Sequence, residues 1–391
     1  MKYAPISGIF LGGLLACICF WHLQDAAKDC KITAGQLHTA RFSPTATSLS
    51  NGQILIAGGY DPLASAELYD PGTLTWKETG SMRDARFEHT ATALPDGRVL
   101  VAGGQGFQGV ILASAELYNP SNRLWTPTSS LHTRRNLHSS TLLPNGKVLV
   151  TGGITQLGVT ASAELFDPAS GTWSATGSLS SPRYEHSSVL LPTGKVLVVG
   201  GTSDGINFVA SSELYDPASG SWSLSGSLHY PRQFHTVTIL KNGKVLIAGG
   251  TNASGNVALS ELYDPVSGIW TLTGSLITPR VNPSATLLAN GEVLIAGGFS
   301  KVVLGSAEIY NPTTGIWTAA LSLKFPRTYH TASLLENGSV LVAGGIADNK
   351  LVPISELYNP DVGLLFYWLL GTMGLGVFLI ALVGLLRGNA D

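Results

Sequence analysis

Short apolar runs recur along this chain, each introduced by a turn signal and closed by a pair of glycines. Residues 244–250, Lys-Val-Leu-Ile-Ala-Gly-Gly, follow Asn242-Gly243, which follows the partly apolar stretch Thr236-Val-Thr-Ile-Leu240. The runs Val196-Leu197-Val198-Val199 and Val340-Leu341-Val342-Ala343 are apolar on both faces, as in a sheet covered on both sides by its neighbours. Asn or Asp precedes the turn glycine in six such units (Asn51, Asp96, Asn145, Asn242, Asn290 and Asn337), and Thr193 does so in the other. That pairing predicts a two-residue hairpin loop in which both positions take positive φ.

The glycine pairs set the period. They fall at Gly58-Gly59, Gly103-Gly104, Gly152-Gly153, Gly200-Gly201, Gly249-Gly250, Gly297-Gly298 and Gly344-Gly345, a spacing of 45 to 49 residues that belongs to propeller blades. A third strand follows each pair after a variable loop, as Ser65-Ala-Glu-Leu-Tyr69 or Ser260-Glu-Leu-Tyr263, and ends in Asp-Pro or Asn-Pro, a turn start in which proline fixes φ. Six residues after that Asp or Asn a tryptophan opens a fourth strand: Trp76, Trp125, Trp173, Trp222, Trp270 and Trp317. Aromatics at one repeated place predict packing between blades rather than a binding platform.

The glycine pair, the tyrosine after it and the spaced tryptophan together resemble the Kelch repeat over residues 31–360, with Phe166 in one tyrosine slot. The resemblance implies four-stranded blades, and seven units imply an all-β, seven-bladed propeller. The seventh unit has Leu365 where its tryptophan would stand. Residues 31–37, Lys-Ile-Thr-Ala-Gly-Gln-Leu, align with Trp270-Thr-Leu-Thr-Gly-Ser-Leu276 and are expected to pair beside Ser355 to Tyr358, closing the ring and removing an open edge.

Composition adds the ends of the chain. Residues 364–386 carry no charge, and a helix of that length crosses the roughly 30 Å hydrocarbon layer. We expect a C-terminal transmembrane helix there. Residues 1–30 hold a second apolar run, 6–21, behind Lys2, readable as a signal peptide, a lipoprotein leader around Leu14-Leu15-Ala16-Cys17, or an uncleaved anchor helix. With Lys2 and Arg387 both cytoplasmic, the propeller would lie on the extracytoplasmic side of the membrane, its variable rim facing away from the bilayer. Only three cysteines are present and none lies within the repeats, so no disulfide staples the ring. A formal net charge of −2 and the lack of a basic run argue against nucleic acid.

Arg41, Arg86, Arg135, Arg183, Arg232, Arg280 and Arg327 open the seven first strands, and Glu67, Glu116, Glu164, Glu213, Glu261, Glu308 and Glu356 sit in the third strands. Sevenfold repetition points to structural ion pairs, since a binding site has no need of it. His89, His138, His186, His235 and His330 follow five of the arginines by three residues, a slot that Pro44 and Pro283 fill elsewhere, so they predict structure rather than a metal site. No cofactor is expected. Galactose-oxidase-like copper chemistry, known on a related propeller, resembles this chain in fold only, because the repeats lack the cysteine of a cysteine–tyrosine crosslink.

Variation concentrates after the glycine pairs and inside each Arg-x-x-His or Arg-x-x-Pro. In an antiparallel blade those positions share one end, which places them around one mouth of the channel. The candidate ligand-binding residues are Tyr60, Phe87, Gln105, Phe107, Tyr184, Asn207, Phe208, Phe234, Phe299 and Tyr329, with Phe42, Asn136, Asn282, Lys301 and Lys350 beside them. Aromatics mixed with amides suit a protein or a carbohydrate ligand, and solvated loops are the plainer reading. A membrane-tethered recognition module is the expected function. The alternative is a sugar-modifying enzyme resembling Kelch-type sialic acid epimerases, with Glu88 or Glu185 transferring a proton; a raised carboxylate pKa at the mouth would favour it.

Overall fold

The computed structural model describes residues 32–359, so both apolar terminal segments, Lys31 and Leu365 lie outside the described residues. Among the described residues no helix is long and apolar enough to cross a membrane. Residues 33–356 form one body of seven antiparallel blades. Blade 1 runs Thr45–Ser48, Ile54–Ala57, Ala66–Asp70 and Thr75–Glu78 in sequence order across its sheet. Blade 5 is longer, with Gln233–Ile239, Val245–Asn252, Leu259–Asp264 and Ile269–Ser275. The first strands of adjacent blades lie side by side, so they line the central axis.

The second strands are buried along their whole length in the short blades, as their two-faced apolar pattern requires. Each packs between blades. Val148 and Val150, for example, share a cluster with Leu100, Ala115 and Trp173. The hairpin between the first two strands differs from the two-residue loop expected. Leu49 N–H donates to Gln53 O at 2.8 Å and Gly52 N–H to Leu49 O at 3.0 Å, which makes Ser50-Asn51-Gly52 a three-residue loop. Only the glycine takes positive φ (80° at Gly52, 81° at Gly194), the geometry of a turn followed by a glycine bulge. Asn51 instead spends its side chain accepting the Gln53 N–H at 3.1 Å. Because that position is not left-handed, the β-branched Thr193 stands there without strain.

Adjacent blades are joined by repeated side-chain bonds. Each fourth-strand tryptophan indole donates to the preceding blade: Trp125 to Gly80 O at 2.7 Å, Trp173 to Ser129 O at 2.9 Å, Trp222 to Gly177 O at 2.7 Å, Trp270 to Ser212 Oγ and Trp317 to Ser260 Oγ, both at 3.1 Å. The third-strand tyrosines reach the same way, Tyr118 to Thr79, Tyr215 to Thr176, Tyr263 to Ser225 and Tyr310 to Thr273, at 2.7 to 2.8 Å. Phe166 keeps the ring packing on Trp173, at 5.0 Å between centroids, without a hydroxyl to offer.

The ring closes as the repeat alignment anticipates. The seventh sheet holds Ile32–Gln36, Ile354–Tyr358, Val340–Ala343 and Thr331–Leu334, in that order. Leu37 N–H donates to Pro353 O at 3.0 Å, and Trp76 Nε1 donates to Ser355 Oγ at 3.0 Å across the seam between blades 7 and 1. One bond is missing there. The Tyr69 hydroxyl is buried without a partner, because the slot filled by Thr79, Thr176, Ser225 and Thr273 in other blades is Ala34.

Two outcomes follow from these seams. Ala34→Thr supplies the missing acceptor and should raise stability by about 1 kcal/mol, read as a higher denaturant midpoint; an unchanged or lower midpoint would show that the slot in blade 7 cannot seat a hydroxyl. Acid should weaken the fold early. Burial, aided by the arginine of the same blade, pushes the imidazoles of His89, His235 and His330 down to about 3 and those of His138 and His186 well below their usual 6.5. The unfolded chain therefore binds more protons below pH 6.5, and the stability these neutral imidazoles contribute is lost as pH falls from there towards 3. The slope is about 1.4 kcal/mol per pH unit for each histidine. Thermal unfolding temperatures that stay level between pH 7 and pH 5 would contradict it.

Candidate functional site

The arginines build the frame of the channel mouth. In blade 1 the buried Arg41 donates to Glu67 Oε1 at 2.8 Å, to Gly58 O at 3.0 Å, to Ser65 O at 2.9 Å and, through Nε, to Thr39 O at 3.2 Å. Glu67 in turn accepts the backbone N–H groups of His38 at 2.8 Å and Thr39 at 3.0 Å. Every blade repeats this pairing, with N···O distances from 2.6 Å (Arg280–Glu308) to 3.0 Å (Arg232–Glu261). Both charges are thus fully bonded. A buried pair survives only under that condition, and removing one partner strands the other at a cost of roughly 3 to 5 kcal/mol. The arginine ring is structural, as its sevenfold repetition implies.

The carbonyl of the same arginine holds the neighbouring blade. Gly59 N–H donates to Arg86 O at 3.0 Å, and the series continues through Gly104–Arg135, Gly153–Arg183, Gly201–Arg232, Gly250–Arg280 and Gly298–Arg327 to Gly345–Arg41 at 2.9 Å. Contact is close enough to exclude any side chain at the first glycine: a Cβ on Gly58 would meet Arg86 O at 2.6 Å and His89 Cε1 at 2.5 Å. The histidines fill this seam. His89 Nε2 bonds Thr45 Oγ1 and His138 Nε2 bonds Thr90 Oγ1, each at 3.0 Å, and His330 Nε2 bonds Ser284 Oγ at 2.9 Å. Pro44 and Pro283 occupy the slot facing Gly344 and Gly249, where a Cβ on either glycine would stand 3.6 Å from the proline Cγ.

Two residues beyond each arginine, one feature recurs that the sequence does not announce. Ser43, Glu88, Leu137, Glu185, Phe234, Asn282 and Tyr329 all take left-handed φ, between 48° and 55°. Such a conformation costs a non-glycine residue roughly 1 to 2 kcal/mol and persists only where the surroundings impose it. Bonds between blades do so here. Ser43 N–H donates to Tyr329 O at 2.9 Å, Leu137 N–H to Glu88 O at 3.2 Å, Glu185 N–H to Leu137 O at 3.3 Å and Asn282 N–H to Phe234 O at 3.1 Å, a belt around the axis. Backbone geometry is constant on this belt while side chains vary.

Side chains from several blades converge there. Asn136 Nδ2 donates to Glu88 Oε2 at 2.8 Å and reaches Gln105 Oε1 at 3.4 Å. Burial raises the Glu88 carboxyl above the ordinary carboxylate range, partly offset by Asn136. Glu185 is pushed up to about 8, by burial first and by the charge of Glu88 second. Burial and both carboxylates raise Tyr329, which Asn282 hydrogen-bonds, and burial, Glu185 and Asp204 raise Tyr184. An aromatic arc borders the group: Tyr329, Phe42, Tyr60 and Phe87 follow one another with centroids 6.0, 4.7 and 4.9 Å apart. A carboxyl that keeps its proton at neutral pH can donate a hydrogen bond or a proton to a ligand, and a neighbouring carboxylate can accept one.

The remaining candidates scatter more widely. Phe87 bridges Gln105 but is only 8% exposed, so it belongs to the packing as well as to the rim. Phe299 and Tyr60 are exposed on bridges to Val281 and Phe42, and Phe234 stands half-buried on the belt. Asn207 is exposed in a turn tied by Asp204, with Phe208 half-buried beside it and bridged to Thr202. Phe107 lies apart from the mouth cluster. It lines an open groove of about 550 Å³ with Pro62, Leu63, Asp84 and Leu112.

A seven-bladed propeller with a variable, carboxylate-bearing mouth is the class of protein defined by these features. The sequence matches the KLHDC2/KLHL20/DRC7 Kelch-repeats domain over residues 137–345 and the Kelch motif over residues 41–83 and 86–132. The chain belongs to the Kelch-repeat family, whose propeller serves as a general protein-interaction module. No curated protein matches the sequence. Among solved structures it is similar to a fungal alcohol oxidase of the AA5 family in complex with copper, at 18% identity and a TM-score of 0.68 over 83% of this chain and 75% of that one. It is also similar to YjhT, at 17% identity and a TM-score of 0.58 over 73% of this chain and 99% of that one. These likenesses concern the fold. His89, His138 and His330 are bonded to hydroxyls in separate seams, and no group of three or more His, Cys, Asp or Glu that could hold a metal ion occurs among the described residues.

The two rim aromatics should separate on truncation. Phe87→Ala removes a buried ring and should cost about 3 to 5 kcal/mol, whereas the half-exposed Tyr184→Ala should leave the unfolding temperature nearly unchanged. Equal unfolding temperatures for the two variants would place Phe87 outside the packing.

Proposed function

We propose that this protein is a membrane-tethered recognition module that takes a protein or carbohydrate ligand at the channel mouth, around Glu88, Asn136, Glu185, Asn282 and Tyr329. The observation that carries this reading is the left-handed belt, which fixes seven backbone positions and leaves their side chains free to differ. A scaffold of that kind presents a specific surface at little conformational cost to the ligand-binding groups. Tethering rests on the uncharged residues 364–386 as a membrane span and on residues 6–21 as a signal or anchor within 1–30. The propeller, residues 31–360, lies on the extracytoplasmic side in this reading, with Lys2 and Arg387 inside.

One observation favours a second reading, a sugar-modifying enzyme. Glu185 holds its proton up to about pH 8 beside Glu88, and two carboxyl groups whose environments differ form an acid–base pair. Glu185 would donate and Glu88 accept.

Both readings meet one experiment. The full chain in detergent is screened against glycan and peptide arrays, and bound glycans are checked for chemical change. Binding that Glu185→Gln and Tyr329→Ala weaken supports recognition at the mouth; turnover lost in Glu185→Gln with binding retained supports the enzyme. Binding indifferent to both substitutions places the site elsewhere. For topology, a single cysteine at Asn207, with the native cysteines replaced, should label in intact cells; labelling only after permeabilisation reverses the assignment.

A further inference from the structure

The chemistry of the mouth is one-sided. Glu88 and Glu185 contribute carboxyl oxygens, Gln105 an amide oxygen, and Tyr60, Phe42, Phe87 and Tyr329 contribute aromatic faces and edges. The guanidinium groups two residues before these glutamates are already committed. Arg86 is bonded to Glu116, Gly103 O and Ser114, and Arg183 to Glu213, Gly200 O and Ser211, so neither is free to neutralise the carboxylates above it. The groups that face Glu185 are Glu88, Tyr184 and Tyr329, with Asp204 beyond Tyr184. Each is an acid, and none is a cation.

A second observation is independent of the carboxylates. Asn136 is 5% exposed, its Nδ2 is bonded within this cluster, and its Oδ1 is buried without any partner. An unbonded buried amide oxygen costs roughly 1 to 3 kcal/mol, and a donor brought in by a ligand would satisfy it.

We infer that the mouth recognises an amino group in its charged ammonium form, held by Glu88, Glu185 and Asn136 Oδ1 and bordered by the aromatic arc. The inference rests on the recognition reading above and gives it a ligand chemistry. An ammonium brings three N–H donors and a positive charge, which answers the acceptor surplus and the uncompensated carboxylates together. Aromatic rings within reach of the cation add attraction through their faces. Binding has a proton cost with a defined sign. The ligand favours ionised Glu185, so a proton leaves the site on binding, and affinity should climb as pH rises towards 8. The amino group can arrive on a lysine side chain of a protein or on an amino sugar, and the two sources share this contact.

Four probes separate the possibilities by isothermal titration of the full chain in detergent at pH 7: a lysine-bearing peptide, the same peptide N-acetylated on lysine, a chitosan oligosaccharide and the corresponding chitin oligosaccharide. The expected result is that one amino probe binds and its acetylated twin binds roughly ten- to a hundredfold more weakly, the ratio of a charge-assisted bond lost. Which pair responds identifies the source. Affinity of the responding peptide should rise between pH 6 and pH 8, and Glu185→Gln should flatten that profile. Acetylated probes that bind as well as the amino forms, or no binding by either amino probe, overturn the inference, and the first of these leaves recognition at the mouth standing. Discrimination between amino and acetylated probes that persists unchanged in Glu88→Gln and Glu185→Gln would instead remove the mouth as the site.

Discussion

Each blade hangs on one arginine used in two directions. Its guanidinium closes the blade internally, on the third-strand glutamate, the first glycine carbonyl and a carbonyl at the start of the third strand, a serine's in five blades, Leu259's in blade 5 and Ile354's in blade 7, and its own carbonyl accepts the second glycine of the blade before it. Internal order and ring order are therefore coupled at a single residue. A glutamate that also accepts the backbone N–H groups leading into the strand leaves no buried charge or polar group of this set unpaired, the condition under which a buried pair in a low-dielectric interior is retained. With the glycines confined by the arginine carbonyl and the imidazole, the repeat leaves little freedom along the wall of the ring.

That economy explains where diversity can go. The residues one and two past the arginine share backbone bonds that do not depend on side-chain identity, so Asn136, Tyr184 and Thr328, or Glu185 and Tyr329, stand at equivalent places in different blades. A mouth assembled this way is chemically specific because its parts come from different blades. Glu88 and Asn136 belong to blades 2 and 3, Glu185 to blade 4, Asn282 and Tyr329 to blades 6 and 7.

Much of the fold was legible before the structure, because it is written seven times. Repetition exposed the glycine pairs, the ion-pair slots and the tryptophans, and the alignment of residues 31–37 with residues 270–276 revealed the closing strand. Conformation inside one repeat was less visible. Asn-Gly suggested a two-residue turn, whereas the glycine forms a bulge in a three-residue loop, a distinction set by which carbonyl closes the hairpin. The left-handed belt was hidden for a stronger reason: leucine, phenylalanine, glutamate and tyrosine do not advertise positive φ, and here hydrogen bonds between blades overrule their preference. Rim membership could be read from variability, but burial could not, which is why Phe87 stands at a rim position and is nonetheless buried. Asn136, which carries the orphaned oxygen, was visible only as one variable amide among several.

The seams are not equal. Between blades 7 and 1 Pro44 stands where four other seams have an imidazole bonded to a hydroxyl, and the Tyr69 phenol finds nothing to hold. What remains is the Trp76 indole on Ser355, the Gly345 amide on Arg41, the Ser43 amide on Tyr329 O and the packing around them. In mechanical terms the molecule is a split washer rather than a forged ring, two fasteners short at the joint where its closing strand was slipped in. Tyr329, Phe42 and Tyr60 sit astride that joint, so any strain that parts it would reach the aromatic arc first.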